Sequence, residues 1–110
     1  MNSITTHVLD TAKGKPAAGV PIKLEFLAEG TFSELSAGVT DEDGRLRTLL
    51  EGKELRKGTY RITFDTSAYY AGAECFYPYV NIVFVVQDES VHYHVPLLLS
   101  PFGISTYRGS

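Results

Sequence analysis

The sequence contains little cysteine, no long apolar run and no excess of positive charge. Its single cysteine, Cys75, cannot form a disulfide within the chain, so we expect a fold that does not depend on oxidation. The net charge of −3, without a basic stripe, argues against nucleic acid as the main partner. The longest apolar run, residues 80–86, is interrupted by Asn81 and is far shorter than the roughly 20 residues that span a membrane. The sequence therefore predicts neither a nucleic-acid-binding nor a membrane-embedded protein.

Targeting signals, internal repeats, low-complexity tracts and linkers are also lacking. Residues 1–7 have neither the basic start nor the apolar stretch of a signal peptide, which together with the cysteine content predicts a cytoplasmic protein. The 110 residues suffice for one hydrophobic core but not for two, and the hydrophobic fraction of 44% is ordinary for a globular protein. We therefore predict a single domain covering residues 1–110.

The sequence does contain a series of short β-forming runs separated by turn signals. In residues 20–26, apolar side chains alternate with other types at the period of two that is typical of a half-buried strand. Strands are predicted at residues 4–9, 20–26, 32–40, 45–49, 60–64, 79–86 and 91–99, and the tail after Pro101 is expected to add a short one. Alanines within residues 67–74 favour one short helix, capped by Thr66 or Ser67. The predicted fold class is an all-β sandwich of seven or eight strands with one short helix.

The three histidines, His7, His92 and His94, are the first candidates for chemistry. On a strand, His92 and His94 would share one face while their apolar neighbours take the other. Three imidazoles match the ligand set of a zinc site with three protein ligands. The competing interpretation is that these are solvated surface side chains, and for His92 we favour it.

Arg45 is the second candidate, because it follows the turn of residues 41–44 at the start of a predicted strand. The turn contains three acidic residues, but it lacks the flanking helices and twelfth-position glutamate of a calcium loop. Arg45 is either a surface charge of little energetic weight or a planar fork that grips a carboxylate, imide or ureido group. Spacing alone leaves both interpretations open.

The end of the chain is rich in hydrogen-bonding groups. Tyr107, Arg108, Gly109 and Ser110 offer a phenol, a guanidinium, a flexible amide and a hydroxyl. We expect this tail to belong to a site rather than to fray, as chain ends usually do.

Other reactive side chains are given no catalytic role. Serines lie close to His94 in sequence, but no Gly-x-Ser-x-Gly elbow is present, so a mechanism that uses water is favoured over a serine nucleophile. Cys75 is interpreted as a small packed hydrophobe. We interpret four tyrosines as residues that pack in the core and on the sheets: Tyr69, Tyr70, Tyr77 and Tyr79.

Four motifs of the chain resemble those of the transthyretin-like family. The first is Thr5-Thr6-His7-Val8-Leu9-Asp10 with Gly14 and Pro16-Ala17, and the second is Thr40-Asp41 with Gly44-Arg45. The third covers residues 93–101, Tyr-His-Val-Pro-Leu-Leu-Leu-Ser-Pro, and the fourth is the closing Tyr107-Arg108-Gly109-Ser110. The resemblance spans Ile4 to Ser110. It departs at residues 102–104, where relatives often carry tyrosine at the last position and this chain has Ile104.

The resemblance implies a transthyretin-like, immunoglobulin-like Greek-key β-sandwich that assembles as a homotetramer, a dimer of dimers, with sites in clefts between subunits. Within the family, the terminal tetrapeptide implies hydrolysis of 5-hydroxyisourate to 2-oxo-4-hydroxy-4-carboxy-5-ureidoimidazoline in urate breakdown, without cofactor or metal. Carried over by position, the catalytic residues are His7, Arg45 and His94. The substrate-binding residues are His7, Arg45, Tyr107, Arg108, Gly109 and Ser110.

The side-chain chemistry agrees with these implied roles. An imidazole can activate a water near neutral pH, and a guanidinium can stabilise the charge of a tetrahedral intermediate. Which of His7 and His94 is the base stays open. Two alternatives remain: a small-ligand binding protein on the same scaffold without catalysis, and an adhesive or scaffold sandwich.

Overall fold

The computed structural model describes residues 3–110, which form nine strands and one helix. The strands are β1 Ile4–Asp10, β2 Lys15–Pro16, β3 Pro21–Ala28, β4 Thr31–Val39, β5 Arg45–Leu46, β6 Gly58–Phe64, β7 Val80–Val86, β8 Tyr93–Ser100 and β9 Gly103–Thr106. The helix α1, Thr66–Tyr70, lies between β6 and β7. The all-β prediction is confirmed, with two strands of only two residues, β2 and β5, in the count.

The strands form two sheets. One sheet has the order β2-β1-β8-β9, with β5 also paired to β1, and the other has the order β4-β3-β6-β7. All pairings are antiparallel except that of β1 with β8, which runs parallel along seven residue pairs. Because β1 also pairs with β2 and β5, it lies in the interior of its sheet.

The core lies between the two sheets and follows from the period-two patterns. In β1, Ile4, Thr6 and Val8 are fully buried, while the residues between them are only partly buried. In β6, Tyr60, Ile62 and Phe64 are buried in the same way. Thr6 enters the core at low energetic cost because its hydroxyl donates to the backbone carbonyl of Val95. The alternate residues of β1 therefore point outward, away from the core.

The predicted strand at residues 45–49 and the predicted helix differ from the structure. Strand β5 ends at Leu46 instead of residue 49, because residues 48–51 close a turn in which the Glu51 N–H donates to the Thr48 carbonyl. The helix covers Thr66–Tyr70 instead of 67–74, since its C-cap, Ala71, is left-handed with φ 51°. Asp65, and not Thr66 or Ser67, caps the helix: its carboxylate accepts from the Ala68 N–H at 3.0 Å.

The tyrosines divide into two groups. Tyr69 and Tyr70 pack partly against the core, and the Tyr69 hydroxyl donates to the buried Asp10 carboxylate at 2.6 Å, which ties α1 to β1. Tyr77 and Tyr79 are 38% and 59% exposed, so the packing interpretation is wrong for them. Both lie in the irregular segment between α1 and β7, where no second sheet covers them. Within residues 3–110, no helix is long and apolar enough to cross a membrane.

Candidate active site

Strand register places His7, Arg45 and His94 on the outer face of the β1-containing sheet. His7 lies directly opposite Arg45 in the β1–β5 pair, and Thr5 lies opposite His94 in the β1–β8 pair. Thr5 and His7 are two residues apart on β1 and therefore point the same way. Three residues that are distant in sequence thus converge on one face.

The turn of residues 41–44 sets the position of Arg45. The Asp41 carboxylate accepts from the backbone N–H groups of Arg45 and Asp43, both at 2.9 Å. These two hydrogen bonds, the one from Arg45 first, lower the pKa of Asp41 and keep it ionised. Gly44 has φ +75°, and a Cβ there would lie 2.3 Å from the Val8 carbonyl oxygen, so only glycine lets the turn approach β1 this closely. The Val8 N–H donates to the Gly44 carbonyl at 2.7 Å, which locks the turn in place.

The guanidinium of Arg45 lies near the histidines and is not engaged by another side chain among the described residues. Arg45 is half-buried, and its side chain makes no hydrogen bond or ion pair to any residue from 3 to 110. The neighbouring Arg47 is exposed and reaches the Asp41 carboxylate only at 3.9 Å. Arg45 is therefore available to bind an anionic or carbonyl oxygen.

His7 is oriented by the same turn. Its Nε2 lies 2.9 Å from the Asp43 carbonyl oxygen, which can only accept, so Nε2 carries a proton. The Nδ1 nitrogen makes no hydrogen bond within the described part of the chain. His7 thus presents one ring nitrogen to the backbone and leaves the other free.

His94 is held in the neutral form. Burial lowers its pKa below the usual 6.5, and electrostatic interactions with His7, His92 and Arg45 lower it further. Its Nδ1 lies 2.8 Å from the Thr5 hydroxyl, whereas Nε2 has no hydrogen-bond partner in residues 3–110. A neutral imidazole with an unengaged nitrogen at a cavity has the properties of a general base.

The end of the chain closes over His94. The Gly109 N–H donates to the His94 carbonyl at 2.9 Å, as an antiparallel bridge beside β8. A Cβ at position 109 would lie 2.5 Å from His94 Cδ2 and 3.2 Å from Pro96 Cγ. The tail is therefore ordered, and a glycine is required where it crosses the imidazole.

These residues enclose a cavity of about 330 Å³ on the outer face of the sheet. Of the predicted site residues, Arg45, His94 and Ser110 line it, and Gly109 packs against the ring of His94. His7 lies beside it, next to Arg45 in the register. The remaining lining residues are Thr5, Thr6, Arg47 and His92. The sequence makes His92 a candidate as one of three histidines but favours a solvated role for it, and it does not single out the other three. Spacing could have identified two of these residues. Thr5 is two residues before His7 on β1, and Arg47 is two residues after Arg45, just beyond the end of β5.

Tyr107 and Arg108 do not line this cavity. Tyr107 is 56% exposed, and the Arg108 guanidinium lies 4.6 Å from the ring centroid of Tyr93. Both border a smaller, largely apolar cavity of about 160 Å³ on the other side of His94, beside β7. A wider open groove of about 1100 Å³ adjoins the first cavity through Thr5, Arg47 and His92, but it includes neither Arg45 nor His94. The 330 Å³ cavity is therefore the candidate site for chemistry.

The histidines do not assemble into a metal site. Among residues 3–110, no group of three His, Cys, Asp or Glu side chains is arranged to hold a metal ion. His7 directs Nε2 at the Asp43 carbonyl, while His92 and His94 both direct a nitrogen at the Thr5 hydroxyl. His92 is exposed, as the sequence favours, but it is not merely solvated, because its Nε2 lies 2.9 Å from that hydroxyl.

Known proteins match the chain over nearly all of its length. A 5-hydroxyisourate hydrolase of Mus musculus is 47% identical, over 97% of this chain and 94% of its own. The solved structure of Klebsiella pneumoniae 5-hydroxyisourate hydrolase has a TM-score of 0.86 and 38% identity, with all of both chains covered. Transthyretin from Sparus aurata has a TM-score of 0.89 and 34% identity, over 96% of this chain and 95% of its own. The HIUase/Transthyretin family matches residues 4–109, and the chain belongs to that family.

Proposed function

We propose that this chain hydrolyses 5-hydroxyisourate to 2-oxo-4-hydroxy-4-carboxy-5-ureidoimidazoline. The observation that carries the proposal is the pairing, at one cavity, of the neutral His94 imidazole with the Arg45 guanidinium, which has no partner among residues 3–110. The mouse and Klebsiella relatives carry that activity in their names and cover nearly the whole chain. The chain is accordingly an enzyme, a hydrolase of urate degradation.

The chemistry needs only water and the side chains of the site. Nε2 of His94 accepts a proton from water as the water oxygen bonds to the carbonyl carbon of the cyclic amide. The carbonyl electron pair moves onto its oxygen, and the Arg45 guanidinium stabilises the resulting negative charge. When the intermediate collapses, the ring C–N bond breaks and the departing nitrogen takes the proton from His94. The new carboxyl group then ionises, and nothing is oxidised or reduced.

We assign His94 as the base and His7 as an orienting residue. His94 lines the cavity, burial lowers its pKa, and its Nε2 has no hydrogen-bond partner in the described residues, whereas His7 does not line the cavity and its Nε2 is committed to the Asp43 carbonyl. The other nitrogen of the His7 ring, Nδ1, then has a lone pair that can accept a hydrogen bond from a substrate N–H or from the attacking water and so hold it in line. Substituting His7 should therefore raise KM more than it lowers kcat, and substituting His94 should do the reverse.

We also propose a homotetramer, a dimer of dimers, in which the tail residues Tyr107 and Arg108 bind the substrate in a cleft between subunits. Strands β7 and β9 are the outer strands of their sheets and have open edges in the single chain. Both carry exposed apolar side chains, with Val83 and Val85 55% and 53% exposed on β7 and Ile104 39% exposed on β9. Pairing of such edges between subunits would satisfy their open backbone groups, and packing against another subunit would cover the exposed apolar side chains. Sedimentation equilibrium tests the assembly, and a monomer at working concentration would contradict it.

The compartment proposed for the protein is the cytoplasm. A single cysteine, half-buried and without a disulfide, suits a reducing environment. Fractionation of cells expressing the chain at its natural level tests this assignment.

A decisive test of the activity is the decay of freshly generated 5-hydroxyisourate, followed by its ultraviolet absorbance. We expect the chain to accelerate the decay well above the buffer rate, and a chelator to leave that acceleration unchanged. Arg45→Gln and His94→Gln should each reduce kcat by at least about 100-fold. If the wild-type chain does not accelerate the decay above the buffer rate and instead binds a small hydrophobic ligand, the result would favour the alternative of a small-ligand binding protein without catalysis, on the scaffold shared with Sparus aurata transthyretin.

A further inference from the structure

The hydroxyl of Thr5 lies between two imidazoles. Its oxygen is 2.8 Å from Nδ1 of His94 and 2.9 Å from Nε2 of His92. Thr5 is the parallel-register partner of His94, and the ring of His92, two residues before His94, also reaches the Thr5 hydroxyl. Of these three residues the proposed mechanism uses only His94, and it leaves the two contacts of Thr5 without a role.

Counting protons couples the two rings. A hydroxyl has one proton, so at most one of the two ring nitrogens can accept a hydrogen bond from Thr5. The other nitrogen must itself carry a proton and donate to the hydroxyl oxygen. The tautomer of His94 therefore depends on the direction in which the Thr5 hydroxyl points.

The proposed mechanism requires one of the two tautomers. Only when Nδ1 of His94 carries the ring proton does Nε2 have a lone pair that can take a proton from water. If Thr5 instead donates to Nδ1, the neutral ring has its proton on Nε2 and cannot act as a base there.

We propose that Thr5 is a positioning residue that accepts a hydrogen bond from Nδ1–H of His94 while donating its own proton to Nε2 of His92. This assignment deepens the proposed function, on which the catalytic part of it rests.

Two observations favour this direction of the hydrogen bonds. The cavity that His94 lines is also lined by the cationic Arg45 and Arg47, so a lone pair on Nε2 of His94 is electrostatically preferred to an N–H there. His92 is exposed, so its Nδ1–H can be hydrated while Nε2 accepts from Thr5.

The first test is kinetic and uses three variants. Thr5→Val keeps the shape of the side chain and removes the hydroxyl, so we expect kcat to fall about tenfold or more with KM changed by less than about twofold. Thr5→Ser restores the hydroxyl and should recover kcat to within about threefold of the wild type. Thr59→Val, on β6 of the other sheet, is the matched control and should leave both constants unchanged.

The second test does not depend on catalysis. Nitrogen-15 NMR of ring-labelled histidine distinguishes a proton on Nδ1 from a proton on Nε2, and loss of signals in His7→Gln and His92→Gln assigns the remaining ring to His94. We expect the Nδ1–H tautomer for His94 in the wild type and in Thr5→Ser, and a shift towards the Nε2–H tautomer in Thr5→Val.

The outcomes separate the two proposals. An Nε2–H tautomer in the wild type, or wild-type kcat in Thr5→Val, would overturn the role of Thr5 even if the chain is an active hydrolase. An Nδ1–H tautomer that Thr5→Val abolishes, in a chain without hydrolase activity, would support the tautomer control and overturn the proposed function alone. Unfolding curves of the variants establish that each is folded at the assay temperature.

Discussion

The backbone of Gly109 lies against the imidazole of His94, close enough that a Cβ at position 109 would come within 2.5 Å of Cδ2. The same glycine donates its N–H to the His94 carbonyl, so the tail contacts this residue through both its ring and its backbone. The tail therefore acts as a wall that limits the rotation of the proposed base.

Replacing Gly109 by alanine should affect activity more than stability. The added methyl group forces either the imidazole or the tail to move, so we expect kcat to fall at least about tenfold, as misplacement of a catalytic group commonly does. The tail contributes little to the core, and the melting temperature should change by less than about 2 °C. Gly103→Ala is the control, because a Cβ there meets only Ser100 Oγ at 3.4 Å. Equal losses of activity and stability would identify the tail as a structural strand instead.

Two glycines with nearly the same backbone conformation provide a test of the Asp41–Gly44 turn. Gly44 and Gly52 have φ of +75° and +74°, but a Cβ at 44 would lie 2.3 Å from the Val8 carbonyl oxygen, whereas a Cβ at 52 meets nothing within 4 Å. Gly52→Ala should cost only the left-handed strain, about 1 kcal/mol in free energy of unfolding. Gly44→Ala adds a clash with backbone and should cost about 3 kcal/mol or more. Urea unfolding measures both, and equal values would show that the close approach to β1 carries no energetic weight.

We expect that the contribution of Arg45 to catalysis requires its planar, forked guanidinium as well as its positive charge. Arg45→Lys keeps the positive charge but loses the forked donors, so kcat/KM should fall by about 100-fold. Arg47→Lys should lose much less, because Arg47 is exposed and its contact with Asp41 is a long 3.9 Å. Steady-state kinetics on freshly generated substrate provides the comparison, and a larger loss for Arg47→Lys would move the anion-binding role to that residue.

The pH profile should report the neutral state of His94. Burial lowers the pKa of His94 below 6.5, and the neutral form is the active one, so kcat/KM should decline as the pH falls, with a midpoint below 6.5. The same shift makes the unfolding free energy decrease as the pH falls through this range, since the unfolded chain binds the proton more readily than the folded chain. His92 is one of the groups that lower the pKa of His94, so His92→Gln should raise that pKa in an NMR titration. A midpoint above 6.5 in the wild type would contradict the assignment.

Much of the fold could be predicted because burial alternates along single strands. The patterns in residues 4–9, 20–26 and 60–64 correspond to β1, β3 and β6, whose inward residues form the core. The differences arise where local hydrogen bonds compete with pattern. Asp65 forms the N-cap of α1, and the turn at residues 48–51 ends β5 at Leu46.

The site was less predictable for a physical reason. Thr5 and His94 are 89 residues apart in sequence, and His92 and Thr5 are 87 apart. No periodicity connects them, because their contact depends on the parallel pairing of β1 with β8 and on its register. The resemblance supplied His7, Arg45 and His94 as candidates, but it did not supply the hydroxyl between the two imidazoles.

The sequence by itself determined that this is an all-β chain with histidines on an outward face, because alternation and turn chemistry are local properties of the chain. It also determined that positions 44 and 109 are glycine, although the reason for each is visible only in the structure. The tertiary structure alone decided which side chains meet, since register between distant strands depends on the packing of both sheets. Through that register, Arg45 lies beside His7, Thr5 lies beside His94, and the tail crosses the face of His94.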